Sequence, residues 1–402
     1  MASAPPPQHQ GHWPKHPGPI LDWLIGEARQ LPDGATVLKE LGRRLVDAGV
    51  PLRRASFHMR TLHPQLFGVG LYWQRGSDDV RLFEARHGIQ ETALYRNNPL
   101  RALFEEAVGV RQRLDLPDTE FAFPLFYELR DEGLTDYVAL PMRFSDGKIH
   151  GATWSSDRPG GFGSDHLALI EDLLPVVGLL LEIRLNRRIA VNLLDTYVGR
   201  HAGYRILQGE ITRGSGHTVR AAIWFSDLRD STILSETQGR EEFLECLNRF
   251  FDCMAGPVER HGGEILKFIG DAMLAIFPLD NDQACSRAAQ AAVDARTAMA
   301  ELNEELRADG RNALGFGIAL HVGEVTYGNV GAADRLDFTV IGPAVNLASR
   351  LEVLCRTLGP TILISDEFAR LCSYEFRSLG MHRLAGISRP VEVFTLPDAG
   401  PE

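Results

Sequence analysis

Two aspartates stand at the ends of apolar runs in the second half of the chain. Asp227 follows the run AAIWFS, and Asp271 lies in Gly270-Asp271, between GGEILKFI and AMLAIF. A carboxylate at a strand end, beside free backbone N–H groups, suits a divalent cation bound with phosphate. Each aspartate alone is more simply a helix cap or a turn residue. Two such carboxylates side by side would repel each other without a cation, so the pair predicts a metal site for phosphoryl chemistry.

Lys267 is the next residue with a chemical interpretation. Only four of the 42 basic residues are lysines, so a lysine within an apolar run is unusual for this chain. Alternation along the predicted strand places Ile265, Lys267 and Ile269 on one face of the sheet. Such a lysine either protects a sheet edge or donates its charge to a ligand in a partly apolar pocket. The residue pattern alone leaves both interpretations open.

The segment DFTVIGPAVNLASRLE (337–352) supplies two further polar pairs. Asp337 and Thr339 share one face of a predicted strand. Asn346 and Arg350 stand four residues apart, on one face of the helix that follows. A neutral amide beside a guanidinium can hold a ribose and an oxyanion. A lone pair of this kind usually lies at the surface without a ligand, so its meaning depends on the aspartates and the lysine.

The elements that must position these residues alternate clearly after residue 217. Their order predicts an α+β fold of ferredoxin-like type, an antiparallel sheet with flanking helices. The hairpin that carries Asp271 would then lie beside the strand that ends at Asp227. The predicted elements are a strand at 219–225, helices at about 239–261, a hairpin at 263–277, a helix at about 282–308, strands within 314–330, a helix at 343–357, and short strands near 361–364 and 391–396.

Five motifs in this region resemble one known family. They are FSDLRDST, GGEILKFIGDAM, HVGEVTYGNVG, FTVIGPAVNLASR and RLAGISRPVEVF, in this order and register. Together they resemble the catalytic domain of bacterial class III adenylate and guanylate cyclases, over residues 217–398. Chance supplies one such block easily but hardly all five.

The resemblance implies roles for the acidic residues and the loop after the first strand. Asp227 and Asp271 would hold two Mg²⁺ or Mn²⁺ ions per active site, assisted by the backbone carbonyl of Leu228. The triphosphate would lie beside Phe225 and the loop residues Leu228, Arg229, Asp230, Ser231 and Thr232.

The resemblance also implies how the nucleotide is read. Lys267 and Thr339 match the pair that recognises the purine, and their types correspond to ATP. Guanylate cyclases of the family typically place Glu and Cys or similar residues there. Asn346 would orient the ribose, and Arg350 would stabilise charge on the α-phosphate.

The implied reaction is the conversion of ATP to 3′,5′-cyclic AMP and pyrophosphate, at sites shared across a head-to-tail homodimer. One alternative is a catalytically weak pseudo-cyclase that binds nucleotide as a regulatory module, and another is a guanylate cyclase. A diguanylate cyclase would need a GG(D/E)EF hairpin, which FIGDAM lacks, and no GxxxxGK[ST] phosphate loop occurs.

Two positions depart from the family pattern. Asp230 stands where many members have glycine, which places an extra negative charge near the phosphates. Ala385 stands where a lysine is common, so one counter-charge for the triphosphate is missing unless Arg383 or Arg389 replaces it.

Residues 20–185 resemble GAF-type sensory domains more loosely. The similar part is the hairpin YVALPMRFSDGKIHGATWSS with the segment RPGGFGSDHLALIEDLLPVVGLLLE. The resemblance implies a small-molecule effector that regulates the cyclase. Five aromatic residues are candidates for a pocket, but they are more simply core: Tyr72, Trp73, Phe123, Phe126 and Trp154.

The remaining segments are predicted to be a tail and a stalk. Residues 1–19 are rich in proline and lack a hydrophobic period, which predicts a disordered tail. An i,i+4 apolar stripe from Leu173 to Tyr197 predicts an amphipathic helix. It suits either packing on its own domain or a parallel stalk between subunits, and the resemblance favours the stalk, with a helical and glycine-rich linker at 186–216.

Composition excludes several classes of function. The chain of 402 residues has a net charge of −11, which argues against binding nucleic acid or anionic membrane non-specifically. Its five cysteines form no CxxC pair, so we expect a reducing compartment. The N-terminus lacks the apolar core of a signal peptide, and the most apolar stretch, 173–183, is too short for a membrane span. We therefore predict a cytoplasmic protein.

Overall fold

The computed structural model describes residues 18–397. The predicted tail falls mainly on residues 1–17, which lie outside the described residues, and Pro19 already begins the first helix. The chain divides into two compact units between Asn192 and Leu193, within the predicted linker. Within residues 18–397, no helix combines the length and the apolar character needed to cross a bilayer.

The first unit is built on an antiparallel sheet in the strand order β3-β2-β1-β6-β5-β4. Its strands are β1 (Leu52–Arg60), β2 (Leu66–Gln74), β3 (Arg81–Arg86), β4 (Val110–Arg113), β5 (Asp136–Arg143) and β6 (Ile149–Ser156). Its helices are α1 (Pro19–Ile25), α2 (Gly34–Asp47), α3 (Ala93–Arg96), α4 (Pro99–Glu106), α5 (Pro124–Asp131) and α6 (Ser164–Tyr197), which runs to the end of the apolar stripe.

Two cores fill the two faces of this sheet. Trp73 and Trp154 lie in the larger core, which is formed with α1, α2 and α6. Phe126 lies in the smaller core on the other face, and Phe123 packs against it. Four of the five aromatic residues are therefore core, as the simpler interpretation expects, and Tyr72 lines a cavity. The stripe of α6 is buried as far as Leu185, whereas Tyr197 is 78% exposed.

The second unit contains the elements predicted for the chemistry. Its strands are β7 (Gly216–Leu228), β8 (Glu264–Ile269), β9 (Ala272–Pro278), β10 (Phe316–Gly331), β11 (Leu336–Ile341), β12 (Ile362–Ser365), β13 (Arg377–His382) and β14 (Val391–Thr395). Its helices are α7 (Arg200–Leu207), α8 (Ser231–Thr237), α9 (Arg240–Arg260), α10 (Ala284–Ala308), α11 (Pro343–Leu358) and α12 (Asp366–Ala369).

The sheet of the second unit has the order β13-β14-β12-β10-β7-β9-β8, with β11 paired to β10. Its neighbours are antiparallel except β10 and β12, which run parallel because α11 carries the chain across between them. Helices α9 and α10 pack on one face, and α7 and α11 pack on the other. The α+β class, the antiparallel sheet and its flanking helices are confirmed.

Candidate active site

The two predicted metal ligands lie side by side. Asp227 occupies the end of β7 and is in register with Ala272 of β9, immediately after Asp271. The Leu228 N–H lies 3.4 Å from the carbonyl oxygen of Asp271, and the two carboxyl groups are within hydrogen-bonding reach. Burial, then the neighbouring Asp271, raises the pKa of Asp227 to about 6. The sequence-based prediction of this pair therefore matches the geometry.

The donor set fits a divalent cation. Asp227 Oδ1 is buried and has no hydrogen-bond partner among the described residues, so the site leaves one oxygen uncompensated. Within residues 18–397 no three His, Cys, Asp or Glu side chains are grouped to hold a metal ion. Two carboxylates would supply only part of a coordination shell, which is how Mg²⁺ is commonly bound when substrate phosphates supply other ligands.

The loop after β7 has an unusual backbone. Asp230 has φ +58° and ψ +25°, in the left-handed region that glycine adopts most readily. This conformation gives a physical reason for the glycine that many relatives have here. Asp230 stands at the N-cap of α8 but makes no capping hydrogen bond with its side chain, and it is exposed. Ser231 and Thr232 form the first turn of α8 beside it.

Three of the loop and strand residues predicted beside the triphosphate make contacts within their own chain. The Arg229 side chain donates to the carbonyl of Pro360 at 3.3 Å, and its N–H donates to Gly315. The Leu228 side chain is buried in the core with α9 and α10, so only its backbone can face the site. Phe225 packs against the opposite core.

Lys267 lies on a different face from that of Ile265. A β-bulge between these residues shifts the register, so Ile265 opposes Ala275 whereas Lys267 opposes Leu274. The expectation that Ile265 and Lys267 share a face is wrong because the bulge inserts Leu266, whereas Lys267 and Ile269 still share one.

Lys267 pairs with the carboxylate of Asp337, at 2.7 Å. Both residues line a small cavity of about 230 Å³ with Leu266 and Phe338. Asp337 and Thr339 are two residues apart on β11, so their side chains leave the same face of the strand. The direct contact of Lys267 is therefore Asp337, and Thr339 lies two residues further along β11.

Helix α11 presents different residues to its two sides. Its buried side includes Ala348, Leu351 and Glu352, whereas Asn346 and Arg350 are exposed. Arg350 precedes Glu352 by two positions, about 200° around the helix, so the two side chains leave opposite sides. Asn346 and Arg350 are adjacent, as predicted, but they face away from the Asp227 of their own chain.

Sequence reasoning missed Glu352. This glutamate is 2% exposed, and its Oε1 has no hydrogen-bond partner among the described residues. Burial, then the charge of Asp227, raises its pKa to about 7. A side chain on Gly317, the β10 partner of Asp227, would overlap Glu352 Oε1. The helical phase of 348, 351, 352 and 355 could have revealed a buried carboxylate beside the metal pair.

The second departure from the family pattern, Ala385, has two arginines near it in the sequence. Leu384 packs against Leu347 of α11, which places Ala385 beside the helix of Asn346. Arg389 is paired with Glu367 at 2.7 Å. Arg383 is exposed, and it forms no ion pair within the described part of the chain.

Comparison with known proteins identifies the second unit. Residues 215–397 match the model of the adenylate and guanylate cyclase catalytic domain. The second unit is an adenylate and guanylate cyclase catalytic domain of class III. The cyclase domain is 38% identical over 161 residues to an adenylate cyclase of Anabaena cylindrica, covering 39% of this chain and 32% of that protein.

Solved structures similar to the cyclase domain include both an adenylyl and a guanylyl cyclase. The adenylyl cyclase CyaB from P. aeruginosa is 31% identical, over 46% of this chain and 97% of that chain, with a TM-score of 0.42. The guanylyl cyclase Cya2 is 30% identical, over 44% of this chain and 92% of that chain, with a TM-score of 0.40. The chain spans about a third of the length of the curated relatives, 32% and 29% for the two adenylate cyclases.

Proposed function

We propose that the protein is an adenylate cyclase that converts ATP to 3′,5′-cyclic AMP and pyrophosphate. The observation that carries the proposal is the pair Asp227–Asp271, with a buried oxygen that no group in residues 18–397 satisfies. Residues 217–398 would be the catalytic domain and 20–185 a GAF-like sensory domain. The segment 186–216 would be the stalk that transmits its state.

In this proposal, the 3′-oxygen of the ribose attacks the α-phosphorus as the bond to the β-phosphate oxygen breaks. The 3′-hydroxyl proton leaves to solvent, and pyrophosphate is the leaving group. Asp227 and Asp271 would hold two Mg²⁺ or Mn²⁺ ions. When bound, these ions neutralise the triphosphate and favour ionisation of the attacking hydroxyl. The chain's own contribution is positioning and electrostatic stabilisation.

Separate residues would hold the two ends of ATP. Arg350 would stabilise the charge that develops on the α-phosphate, and Asn346 would orient the ribose. Lys267 would donate to adenine N1 while the Thr339 hydroxyl serves the N6 side. Lys267 would keep its 2.7 Å pair with Asp337 and donate to the base with another of its three N–H groups.

The two sides of α11 support a homodimer. Asn346 and Arg350 are exposed on the side of the helix turned away from Asp227, whereas Glu352 is buried toward it. These exposed residues can complete a site only if it belongs to a second copy of the chain. We therefore propose a head-to-tail dimer in which one subunit supplies the metal carboxylates and the other supplies α11.

Mixing inactive variants tests both the chemistry and the dimer. Asp271→Ala and Arg350→Ala should each abolish cyclic AMP production from Mn²⁺-ATP. Random mixing makes half of the dimers heterodimers with one intact site of two, so activity should return to roughly a quarter of wild type. A mixture of Asp271→Ala with Asp227→Ala is the matched control and should stay inactive. Wild-type protein that binds ATP but forms no product would instead support the pseudo-cyclase.

Base selection has its own test. Lys267→Glu combined with Thr339→Cys should lower kcat/KM for ATP by at least about tenfold, because the donor to adenine N1 and the group that meets N6 both change. The same variant should raise the rate with GTP. Unchanged preference for ATP would remove Lys267 and Thr339 from base recognition and would favour a guanylate or unselective cyclase.

A further inference from the structure

The first unit encloses a cavity of about 570 Å³, a volume typical of ligand pockets. It lies between strands β1 to β3 and the segment from α3 to α5. Gly68 and Gly70 carry no side chains into this space, and the apolar walls are both aliphatic and aromatic. The aromatic lining consists of Phe67, Tyr72, Phe83, Tyr95 and Phe104.

Arg60 brings a positive charge into these aromatic walls. Its guanidinium carbon lies 5.0 Å from the ring centre of Phe104 and 5.3 Å from that of Phe67. One terminal nitrogen reaches the Tyr95 hydroxyl at 3.4 Å, and the Nε is buried without a hydrogen-bond partner. Arg60 pairs with no carboxylate in residues 18–397, so its charge is uncompensated.

The other charged groups of the lining leave a single positive charge. Arg54 is paired with Glu132 at 3.1 Å. Arg81 lies over the ring of Tyr72 and is exposed, and Glu128 also lines the cavity. Three arginines against two glutamates give a net charge of +1 for the lining.

The histidine of the lining adds no positive charge. His58 accepts or donates a hydrogen bond with Ser56 Oγ at 2.8 Å and meets the Tyr72 ring edge to face. Burial lowers the pKa of His58 to about 4, so the ring is neutral at neutral pH. Among the arginines of the lining, Arg60 is thus the one whose guanidinium lies against two phenylalanine rings and pairs with no carboxylate in residues 18–397.

We propose that this cavity binds a planar aromatic carboxylate, with the carboxylate on Arg60 and the ring among Phe67, Tyr72 and Phe104. The guanidinium fork matches two carboxylate oxygens, and a single charge matches a net lining charge of +1. A dianion such as phosphate matches the net lining charge of +1 less well than a monoanion does. This inference concerns binding to the first unit, so it stands or fails independently of the proposed cyclase activity.

Calorimetric titration of the full chain with 2-naphthoate and its neutral analogue 2-naphthamide tests the proposal. Naphthoate should bind at least about tenfold more tightly, because only it offers an anion to Arg60. Octanoate, a flexible carboxylate, should bind more weakly than naphthoate. Equal affinity for naphthoate and naphthamide would refute recognition of the carboxylate. Equal affinity for octanoate and naphthoate would refute the preference for a planar ring. No binding of naphthoate in the millimolar range would refute the whole proposal.

Variants localise the effect. Arg60→Gln should abolish the preference for naphthoate over naphthamide, and Arg60→Lys should retain part of it, because the charge stays and the fork is lost. The control is Arg101→Gln, since Arg101 lies on α4 outside the lining and pairs with Glu105. A preference that survives in a folded Arg60→Gln protein would place the anion elsewhere and overturn the assignment.

Discussion

Replacing Asp230 with glycine should lower KM for ATP with little change in stability. The left-handed φ of +58° costs an aspartate about 1 kcal/mol, and glycine removes that strain. Glycine also loses more chain entropy on folding, by about 0.5–1 kcal/mol, so the two effects nearly cancel. The remaining consequence is the removal of one negative charge beside the proposed phosphate loop.

The electrostatic effect has a definite size. For a phosphate charge placed about 7 Å from the Asp230 carboxylate, the repulsion energy in water is ~0.6 kcal/mol. Two uncompensated phosphate charges give about 1 kcal/mol, which corresponds to about fivefold in KM. We expect a smaller change at high ionic strength, because Asp230 is exposed and salt screens it.

Two further variants separate charge from backbone. Asp230→Asn removes the charge but still occupies the left-handed region, so it should lower KM as much as glycine does. Asp118→Gly is the matched control, because Asp118 is an exposed aspartate with φ +54° in the first unit. It should shift the melting temperature as Asp230→Gly does and leave KM unchanged.

The assay is initial-rate cyclic AMP formation against Mn²⁺-ATP concentration. A lower KM in Asp230→Gly but not in Asp230→Asn would assign the effect to the backbone. An unchanged KM in both variants would refute the reasoning, since the carboxylate would then lie outside the field of the phosphates.

Two other predictions concern stability. Gly317→Ala should destabilise the protein by about 1–3 kcal/mol in denaturant titrations, because its Cβ would overlap Glu352 Oε1. Adding Glu352→Ala should relieve most of that loss, and strictly additive losses would refute the contact. Burial lowers the pKa of His321 and of His150 to about 4, so the unfolded chain binds protons first as pH falls. The free energy of unfolding should therefore decrease between about pH 6.5 and 4, by up to about 3 kcal/mol for each histidine. His321→Gln should flatten this pH dependence in the second unit. An unchanged pH dependence in that variant would show that His321 does not stay neutral in the fold.

The adjacency of Asp227 and Asp271 was predictable because it depends on short-range patterns. Apolar alternation identifies the strands, the Gly270-Asp271 turn closes the hairpin, and the hairpin pairs with β7. The exposed positions of Asn346 and Arg350 follow similarly from helical phase alone. Local periodicity therefore determines most of the candidate site.

The contacts of Lys267 were not predictable in this way. The bulge at Leu266 adds one residue to a strand, and packing on both faces of the sheet decides where that residue goes. The pair with Asp337 further requires β11 to approach β8, near the point where Tyr327 of β10 donates to Glu264 at 2.5 Å. Such contacts depend on residues far apart in the sequence, and no local pattern encodes them.

Helix α11 carries two groups on opposite sides, Glu352 and Arg350, that would belong to different active sites of the proposed dimer. Glu352 lies toward the Asp227 of its own chain, and the charge of Asp227 contributes to its raised pKa. Arg350, on the opposite side of the same helix, would serve the other active site of the proposed dimer. In the proposed site, cations held by Asp227 and Asp271 would reduce the repulsion on Glu352, and a resulting shift of α11 would move Arg350 with it. Metal occupancy of one site would thus act directly on the transition-state residues of the other.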